Sequence, residues 1–134
     1  MLIQHRQPFK PTWSGMWDVS VGGAVAAGES IKAAAQREAA EELGYMLDLS
    51  DEAPAMRITF PDGFDNFYIV ERDLDISQLH YQPEEVLEAK WASKEDILSM
   101  IDDGSFIPYH KSFIEFLFFR RNHSGTRVLG PAQI

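Results

Sequence analysis

The sequence predicts one domain of the α/β (α+β) class, in which a β-sheet packs against α-helices. Segments with alternating apolar residues and segments with helical periodicity follow one another along the 134 residues. Their irregular order favours a sheet covered by helices over a helical bundle or a barrel of strands alone. We find no internal repeat, low-complexity tract or linker, so a single domain over residues 1–134 is predicted.

Two strands are predicted before the first helix. MLIQHR (residues 1–6) alternates weakly, and MWDVSV (residues 16–21) alternates with an apolar face. The segment between them contains prolines and a glycine and predicts a loop. Trp17 and Trp91 are expected to pack in the core or against loops.

The first helix is predicted over residues 30–43, after the glycine-rich segment GGAVAAGES. Ser30 is a suitable N-cap, and Gly44 stands where a helix ends with a left-handed residue. An apolar stripe that could face a sheet has spacing i, i+3, i+4, i+7 and consists of Gln36, Ala39, Ala40 and Leu43.

The second half of the chain predicts three strands and two helices. AMRITF (55–60) and FDNFYIVE (64–71) flank the turn sequence PDG and predict a hairpin, and EVLEAKWA (85–92) predicts a further strand. Residues 93–104 and 109–121 predict amphipathic helices. The tail from about 122 to 134 shows no periodicity and is expected to be irregular.

Composition excludes several classes of protein. The net charge of -9 is the opposite of the basic footprint of a duplex-binding protein, so no duplex nucleic acid is expected as a partner. The absence of cysteine excludes disulfides, zinc-thiolate sites and a cysteine nucleophile. No apolar run approaches the ~20 residues of a membrane span, and no signal peptide is found, so a cytoplasmic protein is expected.

Three carboxylates stand close together on the first predicted helix. Glu38, Glu41 and Glu42 fan over about one third of its circumference. A solvated acidic face is the alternative, since charge runs on helices are common. However, Gly22 and Gly23 precede the helix, and a bare backbone there could offer a carbonyl oxygen to a cation. Hard oxygen ligands favour Mg²⁺, with Mn²⁺ as a substitute.

The same residues resemble the Nudix box, G-x5-E-x7-R-E-U-x-E-E-x-G-U, where U is a bulky aliphatic residue. The match spans residues 23–44 without a gap. The fixed positions are Gly23, Glu29, Arg37, Glu38, Glu41, Glu42 and Gly44. The two U positions differ, because they hold Ala39 and Tyr45.

The resemblance implies a Nudix fold, a mixed sheet sandwiched between α-helices, and hydrolysis of a small soluble diphosphate substrate. It implies that Glu41 and Glu42 bind the metal and that Glu38 is a further ligand or the general base. The Gly22 carbonyl is an additional candidate ligand. The implied roles of the others are orientation of the carboxylates by Arg37, bracing of the loop by Glu29, and structural support of the site by Gly23 and Gly44.

The general base could also come from outside the box, as it does in some members of the family. Glu84 and Glu85 are the candidates, although two glutamates before a strand are also explained by solvation. Phe64, Asp65 and Phe67 could line a substrate cleft, and a strand start explains them at least as well.

Two other functions remain open. The chain also resembles the branch containing isopentenyl diphosphate isomerase, but that enzyme needs a cysteine near Gly22 and a histidine ligand near Ala24, which this sequence lacks. A Nudix-fold module that binds a nucleotide without cleaving it is the second alternative. Relatives have a further segment before MLIQHR, so a truncated or differently covered sheet edge is expected, and with it a possible homodimer.

Overall fold

The α/β (α+β) class is confirmed. The computed structural model describes residues 1–128, and within them one three-stranded sheet and one hairpin pack with three α-helices. The elements in chain order are β1 (Leu2–Arg6), β2 (Trp17–Val19), α1 (Ile31–Leu43), β3 (Met56–Phe60), β4 (Gly63–Phe67), a 3₁₀ turn (Ile76–Gln78), β5 (Val86–Trp91), α2 (Lys94–Asp103) and α3 (Lys111–Asn122).

The three-stranded sheet has the order β2-β1-β5, and both strand pairs are antiparallel. Gln4 in the central strand lies opposite Asp18 of β2 and Ala89 of β5. A parallel bridge joins Trp17 to Phe106 beyond β2. Because β1 is the central strand, the open edge expected at MLIQHR belongs instead to β5.

Helices cover both faces of this sheet, as predicted. On one face, Leu2 packs with Leu43 of α1. On the other face, Ile3 packs in a larger core with Ile97 of α2 and Ile114 of α3. Among residues 1–128, α1 is thus the only α-helix on its side of the sheet, and Ile76 of the 3₁₀ turn packs beside it.

The helix ends follow the predicted caps. The Ser30 hydroxyl accepts a hydrogen bond from the backbone N–H of Ala33 at 3.0 Å, and Gly44 ends α1 with φ 64°. A capping box at Ser93 begins α2, and Gly104 ends it. The last helix begins at Lys111 rather than 109.

The hairpin is shorter than the alternation predicts. The strand expected over 64–71 ends at Phe67. Its only strand partner among residues 1–128 is β3, which begins at Met56, the residue opposite Phe67. Residues 123–128 have no helix or strand, and the rest of the predicted irregular tail lies outside the described residues. In the part of the chain that the structure describes, every helix is too short or too polar to span a bilayer.

Candidate metal-binding and catalytic site

Arg37 is the centre of the candidate site. Its guanidinium donates two hydrogen bonds to Glu29, at 2.8 and 3.0 Å, and one to Glu38 at 2.9 Å. Two further bonds reach Glu41 at 3.2 Å and the carbonyl oxygen of Ala24 at 3.1 Å. One cation thus connects the loop before α1 to two of the carboxylates on the helix.

Glu29 fixes the loop through two kinds of contact. Besides the Arg37 bonds, its carboxylate accepts a hydrogen bond from the backbone N–H of Ala26 at 3.0 Å. The Arg37 hydrogen bonds are the main reason that the pKa of Glu29 falls to about 2. These are the contacts expected of a residue that braces the loop against α1.

Glu42 differs from the other carboxylates because it is buried. Only 7% of its surface is exposed, and it accepts a hydrogen bond from the Gln4 side chain at 2.7 Å. Burial raises the pKa of Glu42 to about 7, the nearby charges of Glu38 and Glu85 add to the rise, and hydrogen bonds from Gln4 and the Gly22 backbone oppose it. A buried carboxylate that faces other carboxylates is where a bound cation would be strongly stabilised.

Two glycines of the box are required by close contacts. A Cβ placed on Gly23 would lie 2.1 Å from Cδ of Glu38, so only glycine leaves room for that carboxylate. A Cβ on Gly44 would lie 2.9 Å from Cβ of His80. By contrast, a Cβ on Gly22 would meet nothing within 4 Å.

The donor types in this cluster fit a hard divalent cation, since all are oxygens. Within residues 1–128, no group of three acidic or histidine residues is yet arranged to hold a metal. In this arrangement, Glu38 and Glu41 are hydrogen-bonded to Arg37. A cation would therefore have to compete with Arg37 for these two carboxylates.

Glu85 is held close to the site, and its neighbour Glu84 is exposed. Lys10 Nζ lies 2.6 Å from Glu85 Oε2. The backbone N–H of Glu85 donates to the carbonyl of Gln82, and the backbone N–H of Gln82 donates to the carbonyl of Glu42, both at 3.0 Å. The segment before β5 is thus attached to the end of α1, and of the two predicted bases Glu85 is the one near Glu42.

A cleft lies between the hairpin and the start of α3. Its volume is about 310 Å³, and its lining residues are Ile58, Asp65, Phe67, Pro108, Tyr109, His110 and Phe113. Asp65 and Phe67 were predicted for such a cleft, whereas Phe64, which was predicted with them, is not among its lining residues.

Polar residues connect the cleft to the carboxylates. Tyr109 Oη donates to Asp18 Oδ1 at 2.7 Å, and Asp18 lies opposite Gln4, which binds Glu42. Sequence reasoning missed Gln4 and Asp18. The available indication was a polar residue beside apolar ones in each of two short strands, LIQHR and WDV, which suggests a polar partner on that face.

The chain is similar to known proteins in both sequence and fold. The sequence profile of the NUDIX domain matches residues 1–123. An uncharacterized Nudix hydrolase of Listeria monocytogenes is 39% identical over 122 residues, which are 91% of this chain and 71% of that protein. An isopentenyl-diphosphate delta-isomerase of Brevibacterium linens is 32% identical over 117 residues, 76% of this chain and 59% of that protein. A crystal structure from Deinococcus radiodurans has a TM-score of 0.69 and 28% identity over 88% of this chain and 72% of that chain.

Proposed function

Since the chain belongs to the Nudix hydrolase family, we propose that it is a cytoplasmic, Mg²⁺-dependent enzyme that hydrolyses a diphosphate linkage. The substrate is a small soluble molecule, either a nucleoside diphosphate linked to another group or a nucleotide. The observation that carries the proposal is that Glu42 of α1 is buried near the charges of Glu38 and Glu85. The other two carboxylates of this helix, Glu38 and Glu41, are held by Arg37.

The chain would hold Mg²⁺, or Mn²⁺ in its place, through Glu38, Glu41, Glu42 and the Gly22 carbonyl. When bound, the ion supplies neutralisation of the diphosphate charge and a lowered pKa for water. Arg37 keeps the carboxylates in position before the ion arrives. Its two hydrogen bonds to Glu29 involve none of the proposed metal ligands.

Glu38 or Glu85 takes the proton from the water that attacks one phosphorus of the diphosphate. The other phosphate group leaves on the side opposite the attacking water. Glu38 is mostly buried against Gly23, which fixes its position. Lys10 forms an ion pair with Glu85 at 2.6 Å, which restrains the position of that carboxylate. The cleft that contains Asp65 and Phe67 receives the group attached to the diphosphate.

Replacement of the central carboxylates tests this function. We expect Glu38→Gln and Glu42→Gln to remain folded and to lose turnover by ~10²–10⁴-fold, the usual contribution of a positioned acid or base. A panel of nucleoside diphosphate sugars, nucleoside triphosphates, dinucleotides and prenyl diphosphates with Mg²⁺ provides the substrate for the assay. Titration with Mn²⁺, followed by electron paramagnetic resonance, should show weaker ion binding in both variants.

Glu115→Gln is the matched control, because Glu115 is an exposed residue of α3. It should keep both turnover and ion binding, and EDTA should abolish turnover of the parent enzyme. Full turnover of Glu38→Gln and Glu42→Gln would show that these residues do not have the proposed roles.

Allylic isomerisation is the second candidate, and the similarity to isopentenyl-diphosphate isomerases favours it. The absence of cysteine opposes it, since the isomerase resemblance requires a cysteine near Gly22 for proton transfer. Incubation of the enzyme with a prenyl diphosphate in D₂O distinguishes the two activities. Deuterium in the recovered diphosphate would show that the enzyme catalyses isomerisation rather than hydrolysis.

A further inference from the structure

The outer edge of β5 is open. This strand pairs with β1 on one side, and no other strand of residues 1–128 lies on its other side. The backbone N–H of Ala92 donates to Met1, so by alternation Ala89 and Trp91 direct their N–H and C=O groups away from β1. An edge of this kind is able to pair with another strand.

Apolar side chains accompany this edge. Leu87 is 46% exposed and Trp91 is 53% exposed, although Trp91 was expected to be packed. Trp91 projects from the face of the sheet that α1 covers, because it lies opposite Leu2 in the register with β1. Leu87 lies at the irregularity where the register shifts between His5 and Arg6, and it has no opposite residue in β1. Two large apolar side chains thus stand beside unpaired backbone groups.

The sequence of the edge is complementary to itself about Ala89. In an antiparallel pair of two β5 strands centred on Ala89, Glu88 of each chain faces Lys90 of the other, and Leu87 faces Trp91. Such opposite-charge and apolar cross-strand pairs are stabilising. The residues that face one another across this axis share one face of the sheet, so a single register satisfies both kinds of pair.

Neighbouring registers fail on charge. Two neighbouring registers also bring outward-facing backbone groups together. The register centred on residue 88 places Glu88 opposite Glu88, and the register centred on residue 90 places Lys90 opposite Lys90. Like charges directly opposite one another are destabilising. The residue pattern therefore selects the register centred on Ala89.

We propose that two copies of this chain associate through antiparallel pairing of their β5 strands about a two-fold axis at Ala89. The two three-stranded sheets then form one continuous sheet, and α1 of each copy lies on the same face as its own Trp91. An isologous contact of this kind closes after two copies, so it produces a dimer rather than a filament.

The charged side chains are available for this contact. Glu88 is exposed, and its only ionic contact among residues 1–128 is His5 at 4.0 Å. Lys90 Nζ lies 4.3 Å from the centre of the Trp17 ring. Both side chains exchange these contacts for those of the partner when the strands pair.

Charge reversal tests the pairing on the full chain. By analytical ultracentrifugation across a concentration series, we expect the parent to dimerise and Glu88→Lys and Lys90→Glu each to weaken the dimer by at least ~10-fold, because each creates like-charge pairs. An equimolar mixture of the two variants should recover a heterodimer, since lysines of one chain then face glutamates of the other. Recovery on mixing would not follow from damage to the fold.

Ala89→Pro is a second test, because proline removes an outward N–H and is tolerated on edge strands. We expect a folded monomer, with circular dichroism like that of the parent. A parent that stays monomeric throughout the series overturns the proposal. So does a dimer that Ala89→Pro and both charge reversals leave unchanged. These outcomes concern mass alone and are independent of whether the enzyme hydrolyses diphosphates.

Discussion

Gly23 shows how closely a single residue controls the candidate site. The Glu38 carboxylate occupies the space in which any other side chain would begin. The glycine therefore sets the position of a carboxylate that also bonds Arg37 at 2.9 Å. Its effect on the chemistry comes from its missing side chain, which leaves room for the Glu38 carboxylate.

Gly23→Ala should displace Glu38 and lower kcat/KM by ~10²-fold, the cost of a small misplacement of a reacting group. The unfolding temperature should change little, because the loop is exposed. Steady-state assays with Mg²⁺ and a thermal melt measure the two effects. Gly22→Ala is the matched comparison, since its added methyl meets no atom within 4 Å, and it should lose much less activity. Equal losses in the two variants would contradict the steric argument.

At this scale the sequence predicts the acidic cluster but not its electrostatics. The spacing places Glu38, Glu41 and Glu42 on one side of α1, and the structure does so. The spacing does not tell that Glu42 is buried against Gln4, because that contact joins residues 38 positions apart in the chain. Its raised pKa follows from that burial, which only the folded chain provides.

The helices are the elements that the sequence predicts best, because their ends depend on neighbouring residues. Ser30 and Ser93 cap α1 and α2, and Gly44 and Gly104 end them, as their types predict. A strand depends instead on a distant partner. Residues 68–71 have a strand-like composition and remain outside β4, because β3 begins at Met56, the residue that pairs with Phe67.

A comparison of two helix ends tests packing against backbone conformation. Gly44 and Gly104 are both left-handed, with φ 64° and 81°, so alanine costs each about 1–2 kcal/mol. Gly44→Ala should lose ~1–3 kcal/mol more, since its Cβ meets His80 at 2.9 Å whereas that of Gly104 meets nothing. Urea denaturation of both variants measures the difference. Equal losses would show that His80 moves aside at no cost.

For the whole molecule, the Asp18–Tyr109 hydrogen bond joins the sheet to the segment that leads into α3. Burial raises the pKa of Asp18 above its usual value of 3.8, although bonds from Tyr109 and Val19 and the charge of Arg6 oppose this. The folded protein therefore binds this proton more tightly than the unfolded chain. Stability from the neutral acid is present below 3.8 and is lost as the pH rises through the folded pKa.

Asp18→Asn should remove this part of the pH dependence. Relative to the parent, the variant should gain stability as the pH rises above 4, by ~1.4 kcal/mol for each unit of the pKa rise. Denaturant unfolding at several pH values between 4 and 7 measures the difference. Asparagine can still accept the Tyr109 bond, so Tyr109→Phe serves as the control for loss of that bond alone. Parallel pH profiles for Asp18→Asn and the parent would show that Asp18 titrates normally.

The attachment of residues 82–85 to the end of α1 has a consequence for protein engineering. Although this segment lies near the surface, two backbone hydrogen bonds in series set the distance from Glu85 to Glu42. An inserted residue there would move the carboxylate of Glu85 as a unit with its loop. The PDG turn between β3 and β4 has no such connection to α1, so peptide grafts belong at that turn.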